Sequence, residues 1–311
     1  MSTAPNAGAP GAWQRFLAGD VWYSFKRSPT AIGAAVVAGV CLVCALFANA
    51  VAPHNPFDLA TLDLSDARLP PAWMDEGRAT YLLGTDDQGR DILSALMFGA
   101  RISLFVGFTS VILSVLVGVA LGLLSGFAGG RIDAFIMRVC DVMLSFPAIL
   151  TALLIDGVGR AIFPNAHETL AFAVLILAIA LTGWIKFART VRGSTLVERN
   201  KEYVQAARVI GVPPWRIMRR HVLPNVLGPV FVLATIDVGQ AILIEATLSF
   251  LGVGVPPTSP SLGTLIRIGN DFLFSGEWWI TIFPGLMLIM IVLSVNLLGD
   301  WLRDALNPRL R

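Results

Sequence analysis

Four windows of this chain, residues 28–57, 102–130, 246–266 and 278–299, contain no Asp, Glu, Lys or Arg. A hydrocarbon core of about 30 Å is crossed by roughly 20 helical residues, so each window is long enough to span a bilayer. The composition agrees: 55% of residues are hydrophobic and 14% charged, where a soluble domain carries about a quarter charged residues. The chain reads as an all-α integral membrane protein.

Apolar runs and their breakers together predict six transmembrane helices, over residues 31–52, 102–126, 134–155, 170–187, 226–250 and 280–299. The third carries Arg138 and Asp141 near its start and Pro147 inside it, which predicts first turns lying along the interface before the helix turns inward. Lys and Arg mark the inner side of a membrane protein. With the N-terminus inside, 17 of the 23 basic residues fall on inner segments, Lys186, Arg189 and Arg192 among them. The first outer loop is acidic, from Asp58 to Asp91. Both termini are therefore expected inside.

Ala48-Asn49-Ala50 imitates a signal-peptide cleavage site, but the apolar run before it exceeds an ordinary signal core of about 7–15 residues, so an uncleaved first helix is expected. Cys41 and Cys44 lie within that helix, away from the positive charge that activates a thiol, and read as apolar filler. His54, His167 and His221 are scattered, giving no metal-ligand spacing. The Gly-x-x-x-x-Gly-Lys-Ser/Thr phosphate loop is missing, so nucleotide hydrolysis is not expected of this chain, and no catalytic group is assigned.

Gly118, Gly122 and Gly126 give the second helix a bare strip for close packing, either within a compact bundle or against a second membrane subunit. Ionisable groups in apolar helices are costly and invite functional readings. Arg138 and Asp141, three apart, are expected to pair. Asp237 and Glu245, with Gln240 between, read equally as path lining or as interhelical hydrogen bonding, with a proton relay as the sharper alternative.

Between the fourth and fifth helices lies a polar stretch. Glu202 to Ile210 favours a short helix and Gly211 suits its left-handed cap. Pro213-Pro214 restarts the chain into a basic helix over residues 215–220, anchored by Trp215, Ile217 and Met218, and Pro224 closes the unit. Ala206 and Ala207 form a small-residue crest suited to a partner. A purely structural helix-turn-helix is the plainer alternative.

Gln205-Ala206-Ala207, then Gly211, then His221-Val222-Leu223-Pro224 resemble the cytoplasmic coupling motif of permease subunits of bacterial ABC importers. Gln205 stands where that motif has Glu, and His221 where it has Ile, as in the peptide and nickel subgroup. The block from Leu83 through Asp91 to Leu104 is similar to the C-type subunit of dipeptide and oligopeptide permeases. Arg138 to Pro147, Glu245 to Gly252 and Gly299 to Pro308 extend the likeness.

The resemblance implies the type I ABC importer permease fold in a bacterial inner membrane: a cytoplasmic segment 1–30, a first helix 31–52, a periplasmic loop 53–101, a five-helix core 102–299 with a coupling loop 188–225, and a cytoplasmic tail 300–311. It implies a homologous second permease, two cytoplasmic ATPases that hold ATP and Mg, and a periplasmic or lipid-anchored solute-binding protein, with lipid around the bundle and no nucleic acid. Coupling would fall to Glu202, Tyr203, Gln205, Ala206, Ala207, Gly211, Leu223 and Pro224. Asp86, Asp87, Arg90 and Asp91 would either contact the binding protein or belong to a solvated loop. Dipeptides or oligopeptides are the expected cargo, with nickel, glutathione or another small solute as alternatives. A proton-coupled carrier using Asp237 and Glu245 is the rival from another class, weakened by the lack of an internal repeat.

Overall fold

Asp91 accepts bonds from the Ser94 amide (3.0 Å) and hydroxyl (2.5 Å), and this cap starts a 37-residue helix of a computed structural model that describes residues 20–57, 62–162, 167–256 and 258–306. Asp58, at the head of the acidic loop, and the tail residues from 307 onward lie outside them, as do residues 1–19. Before that cap come α1, Asp20–Arg27, and α2, Pro29–Leu46, with single helical turns following at Ala48–Val51 and Leu64–Asp66. The capped helix is α3, Ile92–Ala128; then come α4, Gly130–Leu144, α5, Ala148–Ile162, and α6, His167–Glu198. The short α7, Glu202–Val209, leads into α8, Pro214–Phe250, and α9, Leu262–Asn270, precedes α10, Trp279–Ala305. Among the described residues the one extended pairing is a bridge between Thr85 and Asp91.

Among the described residues five helices are long and apolar enough to span, and the sixth span is divided between α4 and α5, which meet at 91°. The break falls at Ser145-Phe146-Pro147, where proline removes a helical donor and disfavours helix before it. Six spans hold, but several boundaries move. The second begins ten residues before the expected 102, because Asp91 caps it. The fourth runs on to Glu198 instead of stopping near 187. Its basic residues are matched across the bundle: Lys186 by Asp237, Arg189 by Asp141 and Arg192 by Asp133. Asp141 thus pairs with Arg189 and not with Arg138, because that contact also fastens α4 to α6.

Pro224 ends nothing. The backbone passes through a π turn at Met218–Val222 directly into Leu223–Phe250, and Pro224 stands in the turn that follows it without ending α8. The glycine strip of α3 packs within the chain, on α6. A Cβ at Gly118 would stand 2.5 Å from the Phe187 Cβ, and one at Gly126 would stand 2.7 Å from the Thr195 Cβ. Small residues let these two helices touch along their backbones, which makes them the spine of the fold.

Candidate functional site

α7 sits on the end of the bundle where α3 finishes and α8 begins. Val204 and Ala207 are buried against that bundle, and the Arg208 guanidinium lies 5.5 Å from the centre of the Phe127 ring at the end of α3. At Gly211 the φ of +80° is paired with a Val212 amide bond to the Ala207 carbonyl (3.0 Å) and a Gly211 amide bond to Arg208 (3.0 Å), the Schellman closure expected there. Tyr203 locks the base. Its hydroxyl donates to Glu198 (2.5 Å) and accepts from Asn225 Nδ2 (3.0 Å), so the end of α6 and the first half of α8 are joined through one ring. Burial and the bond to Glu198 raise the Tyr203 phenol above its ordinary value and keep it a donor.

The two alanines do not form one crest. Successive helical residues point about 100° apart, and here Ala206 faces out while Ala207 faces the bundle. What projects is larger: Val209 is 86% exposed and Ile210 78%, with Trp215 also outward. Trp215 is therefore not the anchor the sequence implied; Ile217 is buried in that role and Met218 packs against the core. Glu202 and Gln205 flank the outward face, and Gln205 donates weakly to the Arg199 carbonyl at 3.3 Å. Leu223 packs against the core and Pro224 is exposed. Val209 and Ile210 were missed by motif matching; the signal was two branched apolar residues at a polar helix's end, just before its glycine.

At the opposite end, the segment from Gly84 to Asp91 is a clasp. The Asp86 carboxylate accepts from the amides of Gln88 and Arg90, both at 2.9 Å, and from Arg90 Nε at 2.6 Å. Asp86, Arg90 and Asp91 are buried, which leaves Asp87 as the residue of the four with partial exposure. Desolvation, then the neighbouring Asp86 charge, pushes the Asp87 carboxyl up. The clasp is tied to both flanks: the His54 amide donates to Ser94 Oγ (3.1 Å), and Trp279 Nε1 donates to the Thr85 carbonyl (3.2 Å).

Within the bundle, Glu245 is fully buried and accepts from Ser103 Oγ and Ser249 Oγ, both at 2.7 Å, while Ser103 Oγ accepts from the Leu262 amide at 3.3 Å. It joins α3, α8 and α9 as an interhelical hub. Asp237 is buried beside Lys186, and Gln240, one turn further on, is exposed. Asp237, Gln240 and Glu245 thus do different things. Lys186, counted from sequence as an inner-loop charge, lies inside a span.

The structure is thus a membrane bundle with an anchored polar helix that exposes apolar residues at one end. The comparisons make this specific. The family described as binding-protein-dependent transport system inner membrane component matches residues 118–311, and the N-terminal TM domain of oligopeptide transport permease C matches residues 12–71. The chain is 40% identical to the Di/tripeptide transport system permease protein DppC of Pseudomonas aeruginosa, covering 94% of this chain and 92% of the relative. It is 43% identical to the Dipeptide transport system permease protein DppC of Escherichia coli (strain K12), covering 94% and 93%. The fold is that of a chain from inward-facing MetNI methionine ABC transporter structures, with a TM-score of 0.55 at 19% identity, over 68% of this chain and 96% of that one. The chain belongs to the binding-protein-dependent transport permeases, in the branch of the oligopeptide C-type subunits, and is a multi-pass membrane protein.

Proposed function

We propose that this chain is the C-type permease of an ATP-driven importer of dipeptides or short oligopeptides, sharing the solute path with a homologous second permease. Two ATPases holding ATP and Mg drive it from the cytoplasm, a binding protein delivers the solute from outside, and both termini face the cytoplasm. The observation that carries the coupling is the exposure of Val209 and Ile210 at the tip of a helix whose base is fastened to α6 and α8. Contiguous exposed apolar side chains on an otherwise polar element mark a partner surface.

The anchoring supplies the lever. A push on α7 reaches α6 through Tyr203 and Glu198, and α8 through Asn225, so movement of a seated ATPase reorients two spans together. ATP shifts the bundle only by as much as its binding favours one arrangement over the other. Peptide cargo is supported by relatives about 40% identical that are named for dipeptides and tripeptides. The test is purification of the complex in detergent, wild type beside Ile210→Asp, with uptake of labelled dialanine and of nickel measured after reconstitution. Loss of the ATPases from the variant alone, with dialanine and not nickel taken up by the wild type, is the expected result.

A further inference from the structure

Lys186 and Asp237 meet near the middles of α6 and α8. They line a cavity of about 70 Å³ together with Ser114, Ala148, Thr182 and Gly183. The Asp237 side chain is 6% exposed and that of Lys186 41%. An ammonium at that depth facing acyl chains costs several kcal/mol, so the side on which Lys186 opens faces water or protein. In a two-permease assembly a side of that kind faces either the second permease or the path the two share. Gly183 keeps the approach clear: a Cβ there would press on Ser114 Oγ at 2.6 Å and stand 3.8 Å from Asp237 Oδ2. The broken span contributes Ala148, the first residue of α5, so a change of the bend between α4 and α5 alters this cavity directly.

We propose that Lys186 and Asp237 are the point in the path where the charged ends of a zwitterionic solute are held, the ammonium of Lys186 on its carboxylate and Asp237 on its amino group. This rests on the peptide-import reading. Asp237 is the desolvated partner, so parting it from Lys186 leaves a buried charge uncompensated. A zwitterion supplies both opposite charges, whereas a simple cation or anion leaves one of the two residues unpaired. The cavity has room for water and not for a dipeptide, given about 30 Å³ per water molecule. The closed pair therefore seals the path and the solute opens it by exchanging partners, with Ser114 and Thr182 alongside as hydroxyl neighbours.

The test uses the reconstituted complex with its binding protein, comparing the wild type with Lys186→Met/Asp237→Leu for dialanine transported per ATP hydrolysed. A pair that only holds helices tolerates apolar replacement. On the proposal, ATPase stimulation by loaded binding protein persists while dialanine transported per ATP falls by roughly tenfold or more, the scale of losing charge-assisted hydrogen bonds. Transport per ATP within about twofold of wild type overturns the proposal. Should the apolar pair fail to assemble, Lys186→Gln/Asp237→Asn keeps the volumes and decides by the same ratio. A wild-type complex that moves no dialanine refutes the peptide reading itself, a different result from a wild type and variant that transport alike.

Discussion

Arg192 of α6 grips both carboxylate oxygens of Asp133 in α4, with Nε at 2.5 Å and the second nitrogen at 2.7 Å, and Ser125 of α3 adds a third bond to the same carboxylate at 2.5 Å. Three spans are pinned at one carboxylate next to the turn of Gly129 and Gly130, where φ is +68° and +56°. Only a planar fork makes two parallel bonds, so Arg192→Lys does not restore what Arg192→Ala removes. Both side chains keep some exposure, which limits the loss to about 1 kcal/mol. Thermal unfolding of the purified chain in detergent should show a small fall in midpoint for Ala, with Lys nearer to Ala than to wild type.

Two glycines separate crowding from backbone strain. A Cβ at Gly122 would lie 2.9 Å from the Val191 Cβ on α6, whereas one at Gly211 meets nothing within 4 Å but sits at φ +80°. Gly122→Ala forces α3 and α6 apart, at a cost of about 1–3 kcal/mol, and should lower the unfolding midpoint of the whole bundle. Gly211→Ala strains a single left-handed residue by about 1–2 kcal/mol, and the damage should stay local. Hydrogen exchange should rise in α7 with little change in α3.

The interior of this protein was legible where one residue dictates local structure, and obscure where two distant residues must meet. Pro147 announced the bend and Gly211 the left-handed cap, since each acts on its own backbone. Lys186 was misplaced because a lone charge reads as the end of a span; Asp237, 51 positions away, neutralises it and lets α6 continue. Asp86 and Arg90 read as part of an outer contact or solvated loop, yet they are buried, with Arg90 Nε donating to the Asp86 carboxylate. Pro224 read as a stop because a proline at the start of a helix and one beyond its end look alike in one dimension.

A charge at the tip of α7 should uncouple without unfolding. Val209 and Ile210 touch little of their own chain, so Val209→Asp or Ile210→Asp is expected to leave the stability within about 0.5 kcal/mol of wild type, with little change in the thermal midpoint. Docking of the ATPase should weaken by at least about tenfold, because a carboxylate buried without a partner in an apolar contact costs several kcal/mol. Titration of the detergent-solubilised permeases with purified ATPase measures this directly. Ala207→Asp is the contrast: it faces the bundle and should destabilise α7 itself.

Glu245 decides between the two driving forces. Its two oxygens are taken by Ser103 and Ser249, and it lies in a closed hub between α3, α8 and α9, so its work is to hold helices. Glu245→Gln keeps one acceptor but sets an amide N–H₂ against a serine hydroxyl, a loss of about 1–3 kcal/mol from the buried mismatch. A proton relay fails completely on this change, whatever the amount of folded protein. A structural hub loses uptake only in proportion to the folded complex. Reconstituted vesicles loaded with ATP should therefore import dialanine through Glu245→Gln at a rate that tracks assembled complex. A protonophore should leave both that variant and the wild type unaffected. Collapse of wild-type uptake on adding the protonophore, with ATP held constant, would place the chain among proton-coupled carriers and remove the ATPase from its mechanism.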